Sequence, residues 1–165
     1  MKPILLLVLL LPFALTAQKV KKVIEPITGQ YWWITNSVSL GQPGQSSLSA
    51  YLRSSSQGTF IYLNPVTMEA IGAADIAVIL TATDTIIARS TGWQPGNLST
   101  YSREYRVTRS DLEKLTQSPV LKVSLTYFDG TEVVTVPEKR QHGLMLWAKA
   151  LLQDAAGTER PIVRN

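Results

Sequence analysis

The stretch Val120–Leu152, VLKVSLTYFDGTEVVTVPEKRQHGLMLWAKALL, carries the strongest structural pattern in this sequence. Alternating apolar residues predict a strand over Val120–Phe128 and a return strand over Thr131–Val136. Between them stands Asp129-Gly130, a pair that suits a type I′ hairpin turn because both central residues of that turn need a positive φ. We therefore predict an antiparallel β-hairpin at this position.

A helix is predicted directly after the hairpin, near residues 138–153. Pro137 suits its start, because the first turn of a helix does not use the N–H that proline lacks. Apolar residues then recur at the spacing of a single helix face: Leu144, Trp147, Ala148, Leu151 and Leu152. A helix with one apolar face needs a partner surface, and the nearest surface is the hairpin that leads into it.

Six earlier segments have the composition or the alternation of β-strands. They are rich in β-branched and aromatic residues, or they place apolar residues at every second position. The segments are Tyr31–Leu40, Leu48–Arg53, Thr59–Leu63, Ile76–Ala82, Thr85–Arg89 and Tyr101–Val107. The run at Ile76–Ala82 is almost wholly apolar, which predicts a central strand buried on both faces. Most connections are of hairpin length, so we expect a mainly antiparallel arrangement.

A short helix is expected near residues 110–116. Ser110 and Glu113 stand at capping-box spacing, and Ser118-Pro119 should end the helix. Together these elements predict a mainly β fold, a β-sandwich or open barrel with antiparallel strands, completed by this helix and the C-terminal one. The alternative is an α+β fold in which the C-terminal helix covers a single sheet.

The N-terminus has the pattern of a bacterial secretory signal peptide over residues 1–17. Lys2 supplies the positive charge, Ile4–Leu15 is apolar, and Ala17 suits the position before cleavage. The apolar run is shorter than the roughly 20 residues of a membrane span. We therefore expect export to the periplasm or beyond the cell, with no membrane span after cleavage. The remaining predicted divisions are a tail at 18–28, one β-rich domain at 29–153 and a tail at 154–165.

The composition narrows the classes of function. The chain has 165 residues, 45% of them hydrophobic and 17% charged, which is typical of a folded globular protein. It has no cysteine, so disulfides, thiolate zinc sites and cysteine nucleophiles are excluded. The net charge of +4 comes from residues spread along the chain, without the basic stripe that nucleic-acid binding requires, and we predict no nucleic-acid partner.

No catalytic or metal-binding set is recognisable in the sequence. His142 is the one histidine, and its position near the start of the last helix predicts an exposed side chain rather than a metal ligand. We assign no catalytic residue, no metal and no cofactor. The acids without an evident structural role are Glu69, Asp75, Glu104 and Glu132. A facing pair among them would suit a carboxylate-based hydrolase, which is one alternative function.

Tryptophans provide the candidate binding residues. Trp32 and Trp33 are adjacent in a predicted strand and must point to opposite faces, and Trp93 is in a predicted loop. We predict a ligand-binding role for these three, unless Trp147 and its helix cover the second face and bury all four tryptophans. The predicted function is an exported, non-enzymatic binding or structural accessory module, with a glycan, an apolar ligand or a protein as partner. A dedicated carbohydrate or apolar-ligand binder using exposed tryptophan is the other alternative.

Overall fold

The computed structural model describes residues 20–41, 48–65, 75–94, 102–127 and 130–158. Within these ranges the chain forms ten strands, two α-helices and one turn of 3-10 helix. The strands are β1 (Lys21–Ile24), β2 (Tyr31–Ile34), β3 (Val38–Ser39), β4 (Leu48–Ser55), β5 (Gly58–Pro65), β6 (Ile76–Thr81), β7 (Thr85–Gln94), β8 (Ser102–Val107), β9 (Val120–Tyr127) and β10 (Gly130–Thr135). The helices are α1 (Arg109–Gln117) and α2 (His142–Thr158), and the 3-10 turn is Glu138–Arg140.

All described strands belong to one antiparallel sheet. Their order across it is β1-β2-β4-β5-β8-β7-β6-β9-β10, and β3 pairs with β4 off this path. The sheet is open rather than closed into a barrel, and β1 and β10 form its edges. The prediction of a mainly β, antiparallel fold with a short helix and a C-terminal helix is confirmed. Of the arrangements left open, the structure has the single sheet with the helix packed against it.

The sheet has two different faces. The inner face contacts α2, and the outer face is the opposite one. In β4 the inner residues Leu48, Ala50 and Leu52 are buried, while the alternate residues are only half-buried. This alternation follows from the two-residue period of a strand, and it matches the pattern read from the sequence. The inner residues of the other strands and the apolar face of α2 complete one continuous core.

Helix α2 reaches strands from both halves of the sheet. It contacts β2 and β4 near one edge, β9 near the other, and also α1. The start of the helix lies against both regions: the carbonyl oxygen of Gln141 accepts the N–H of Val120 in β9 at 3.0 Å, and Gly143 lies against Val38 of β3. The open sheet therefore curves around α2, and apolar side chains from distant strands pack into one core.

The start of α2 is held close to β3. A Cβ atom added to Gly143 would lie 2.6 Å and 2.9 Å from the two methyl carbons of Val38. The Arg140 guanidinium, in the preceding 3-10 turn, donates to Ser39 Oγ at 2.7 Å and to the carbonyl oxygen of Gly41. Glycine is thus required at position 143 because the helix backbone packs directly on a side chain of the sheet.

The predicted strand Tyr31–Leu40 is divided into β2 and β3, and both pair with β4. Thr35 stands at the break and is buried. Its N–H donates to the carbonyl oxygen of Leu52 at 3.0 Å, and its hydroxyl accepts the N–H of Leu52 at 2.9 Å. The Thr35 hydroxyl thereby replaces a backbone carbonyl as the acceptor where the pairing register with β4 changes. Hydrogen bonding to β4 therefore continues from β2 to β3.

Three local predictions at helix ends and at the N-terminus need correction. The cap of α1 is Thr108 with Asp111, in a complete capping box, rather than Ser110 with Glu113. Ser110 already lies inside α1, whereas Thr108 precedes the helix with an extended backbone, as an N-cap must. Lys21–Ile24, assigned to the N-terminal tail, form the edge strand β1 paired with β2. Helix α2 begins at His142 after the 3-10 turn and continues to Thr158.

Two strand predictions also change. In β6 only Ala77, Ile79 and Thr81 are buried, so this strand is buried on one face rather than on both. The reason is that α2 and the rest of the core lie on the inner side alone. Gly130 is the first residue of β10 and pairs with Tyr127, so it is not a central residue of the hairpin turn. Asp129 lies outside the described residues.

Candidate functional site

A second apolar cluster lies on the outer face, apart from the main core. It consists of Trp32, Phe60 and Tyr62, all buried, with Ile34 and Tyr51 half-buried against them. The rings of Trp32 and Phe60 are 6.2 Å apart at an angle of 50°. The register places these residues together because β2, β4 and β5 are neighbours and each contributes outward-facing positions. Strand β5 consequently has buried side chains on both faces, Ile61 and Leu63 on the inner one and Phe60 and Tyr62 on the outer one.

A chain of hydroxyl and carboxylate groups borders this cluster. The ring of Tyr51 stacks on that of Tyr62, with centroids 4.6 Å apart and planes within 6°. The Tyr62 hydroxyl donates to Glu104 Oε2, and the Thr91 hydroxyl donates to Glu104 Oε1 at 2.5 Å. Burial raises the pKa of Tyr62 well above its usual value, and the hydrogen bond and charge of Glu104 add to the increase. The Tyr62 phenol therefore remains a donor to Glu104.

Arg53 covers the cluster from above. Its Cζ atom lies 3.3 Å from the centroid of the Trp32 ring, a cation–π contact. One of its terminal nitrogens donates to the Tyr62 hydroxyl oxygen at 3.4 Å. Two N–H donors of this contact, Arg53 Nε and Trp32 Nε1, are buried and have no hydrogen-bond partner. Buried donors without partners are rare, and they mark this part of the surface as unusual.

Three arginines lie in one row across the strands of the outer face, and we name them the arginine row. Arg53 of β4 is opposite Phe60 of β5, Phe60 is opposite Arg106 of β8, and Arg106 is opposite Arg89 of β7. Arg89 and Arg106 are exposed, and Arg53 is half-buried. Among residues that the structure describes, the ion pairs are Arg103–Asp75 and Arg109–Glu113, so no described carboxylate pairs with the row.

The direction of Arg106 is defined by the turn between β4 and β5. Its guanidinium donates to the carbonyl oxygen of Gln57 at 3.3 Å and lies over Gly58. Gly58 has a φ of +137°, which only glycine adopts readily. The Arg106 guanidinium thus lies against this turn, where a Cβ added to Gly58 would be 3.5 Å from Arg106 Nε.

Two of the three tryptophans of the predicted site, Trp32 and Trp33, have described side chains, and Trp93 lies in β7 rather than in the predicted loop. Trp32 and Trp33 point to opposite faces, as predicted, with Trp32 in the outer cluster and Trp33 packed half-buried against the main core. Trp32 is 6% exposed beneath Arg53, and Trp147 is 7% exposed in the core. The side chain of Trp93 lies outside the described residues. A ligand-binding role for Trp32, Trp33 and Trp93 stays a prediction.

The three candidate acids that the structure describes, Asp75, Glu104 and Glu132, are each engaged with other side chains. Asp75 pairs with Arg103 at 3.3 Å and is largely exposed, and Glu132 accepts the Tyr127 hydroxyl at 3.4 Å. The register places Glu104 on the outer face and Glu132 on the inner face, opposite Leu125. Glu69 lies outside the described residues. Glu104 and Glu132 lie on opposite faces of the sheet and so are not the facing pair that the hydrolase alternative needs; that alternative stays a prediction.

Three further features of the described residues bear on function: the histidine, the groups that could bind a metal, and the helices that could cross a membrane. His142 is exposed at the first residue of α2, as predicted. Within the described ranges no group of three or more His, Cys, Asp and Glu residues is positioned to hold a metal ion. No described helix has the length and apolar character needed to cross a membrane.

The sequence analysis did not identify the arginine row. The only local signal was that Arg53 and Arg106 occupy polar positions of alternating strands. Their alignment depends on which strands are neighbours, and that information is not local. The chain matches no protein-family model, no curated protein and no solved structure.

Proposed function

We propose that this chain is an exported binding protein that holds its ligand or partner on the outer face of the sheet. The observation that carries the proposal is the arginine row, because three guanidinium groups share one face and no described carboxylate forms an ion pair with them. Arg89 and Arg106 are exposed and Arg53 is half-buried, and guanidinium groups offer forked N–H donors that suit recognition of a partner. The aromatic cluster beneath Arg53 holds its guanidinium in place before a ligand binds. This preorganisation lowers the entropic cost of binding.

The proposed role is that of a binding or structural accessory module without catalysis. It is supported by the use of the outer-face acid Glu104, whose two oxygens both accept side-chain hydroxyls. A general acid or base must be free to exchange a proton with its substrate. In this arrangement Glu104 positions Tyr62 and Thr91 instead.

Export is supported by the residue pattern of positions 1–17. Expression of the full chain in a bacterial host tests it, with cell fractionation and mass spectrometry of the recovered protein. We expect protein in the periplasm or medium that lacks the leader. Recovery mainly from the cytoplasm with the leader intact would contradict export.

Binding on the outer face is tested by titration of the purified protein with a ligand panel. The panel contains dextran, polygalacturonate, oleate and a mixture of extended peptides, and tryptophan fluorescence is the readout because Trp32 lies directly under Arg53. We expect one class to change the emission, and the change to weaken in Arg106→Gln. The matched control Arg109→Gln removes an exposed charge from α1. Silence of the whole panel, or cleavage of a polysaccharide, would oppose the proposed role.

A further inference from the structure

We infer that the arginine row binds an anionic polysaccharide, one that carries carboxylate or sulfate groups. This inference rests on the proposed binding function of the outer face and names the class of ligand for it. Arg89, Arg106 and Arg53 provide the charge, and Tyr51 provides an aromatic surface next to them.

Arg89 and Arg106 place two positive charges on neighbouring strands. They are direct cross-strand partners on the exposed outer face. Like charges directly opposite each other in an antiparallel sheet destabilise it. A carboxylate or sulfate of the ligand offsets this like-charge pair, and arginine binds such planar or tetrahedral oxyanions with two parallel hydrogen bonds.

Arg53 has a fixed position. Its guanidinium is stacked on Trp32 and hydrogen-bonded to Tyr62, so few rotamers remain to be lost when a ligand binds. Its Nε–H is buried without an acceptor. The nearby negative charge of Glu104 is already shared between Tyr62 and Thr91. Arg53 is therefore a preorganised donor at one end of the row.

The arginine row extends across neighbouring strands. Adjacent strands are about 4.8 Å apart, so the backbones of Arg89 and Arg106 are separated by one spacing and those of Arg106 and Arg53 by two. Measured along the sheet, the row thus extends about 14 Å, which suits an extended chain with repeated charges rather than a single small anion. The half-buried ring of Tyr51, stacked on Tyr62, offers an apolar surface of the kind that packs against a sugar ring.

The small number of positive charges in the arginine row favours an acidic polysaccharide over nucleic acid as the ligand. A protein that holds nucleic acid typically neutralises about 6–10 phosphates. The row has three arginines and Glu104 lies next to it, so its positive charge is smaller than such a partner requires. A neutral polysaccharide would leave the repulsion between Arg89 and Arg106 in place. An acidic polysaccharide matches both the charge and the aromatic surface.

Isothermal titration calorimetry of the purified protein tests the inference. Polygalacturonate is the probe, and methyl-esterified polygalacturonate is the matched control because it has the same backbone without the charges. We expect binding of the acidic polymer alone, weakened severalfold between about 50 mM and 200 mM salt. Arg89→Gln should weaken it about tenfold, the loss of one charge-assisted contact. Arg109→Gln, which removes an equal charge from α1, should change the affinity less than about twofold.

Three outcomes would overturn the inference. They are equal binding of the esterified polymer, equal effects of Arg89→Gln and Arg109→Gln, and tighter binding of single-stranded DNA or an acidic peptide than of polygalacturonate. In each case some ligand still binds, so the proposed binding function would survive while the ligand class would be wrong. If neither polymer binds but another ligand of the panel does, the ligand class is likewise wrong.

Discussion

Substitution of Gly143 by alanine tests the closest packing contact in the fold. The new Cβ would lie 2.6 Å and 2.9 Å from the methyl carbons of Val38. Ordinary contact begins near 3.4 Å, so the helix or the strand must move by several tenths of an ångström. The methyls of Val38 cannot rotate away easily, because a β-branched side chain has few rotamers. Overpacking of this kind costs about 1–3 kcal/mol.

Helix propensity acts in the opposite direction at this position. Alanine is more favourable than glycine by up to about 1 kcal/mol in a helix interior, and by less in the first turn where Gly143 lies. We therefore expect Gly143→Ala to lower the free energy of unfolding by about 1–2 kcal/mol. Urea denaturation followed by circular dichroism and tryptophan fluorescence measures the change.

A double-mutant cycle separates the clash from other effects of the substitution. In a Val38→Ala background the obstructing methyls are absent, so Gly143→Ala should be neutral or slightly stabilising. Gly130→Ala is the matched control, because a Cβ there meets no atom within 4 Å. The same loss of stability from Gly143→Ala in both backgrounds would refute the packing argument.

Three further predictions follow from single contacts. Thr108→Ala should lower the free energy of unfolding by about 1 kcal/mol because α1 loses its N-cap acceptor, measured by urea denaturation. Thr35→Val should lower it by about 1–3 kcal/mol in the same assay, since the buried N–H of Leu52 loses its acceptor; an unchanged midpoint would contradict that role. Burial raises the pKa of Tyr62 and Tyr105 in the folded protein. The contribution of these two phenols to the free energy of unfolding should therefore be constant below about pH 10 and fall at higher pH, because there the unfolded chain releases these protons before the folded protein does. Ultraviolet titration of the folded protein should show a raised pKa for the phenols of Tyr51, Tyr62 and Tyr105.

The sequence by itself determined which residues of each strand face the core. The alternation at Leu48, Ala50 and Leu52, and again at Val123 and Leu125, is local because successive side chains of a strand point to opposite sides. The same rule predicted that Trp32 and Trp33 would separate. The apolar stripe of α2 was equally readable, and Leu144, Ala148 and Leu151 are fully buried.

Local sequence patterns did not determine where helices and strands begin and end, because alternative end points differ little in free energy. Two acceptable capping pairs stand near the start of α1, and the structure uses Thr108 rather than Ser110. The strand at Lys21–Ile24 has no alternation to mark it, and it is ordered by pairing with β2. Edge strands gain their stability from the neighbour, so their own residues carry a weak signal.

Only the tertiary structure decided which strands are neighbours, and with that the outer face. Arg53, Arg89 and Arg106 are far apart in the chain and become one row because β4, β5, β8 and β7 are adjacent in the sheet. Trp32 is covered by Arg53 for the same reason. Side-chain direction is a local property of the backbone. Strand order and register depend on contacts across the whole domain, and they determine which residues come together in the candidate site.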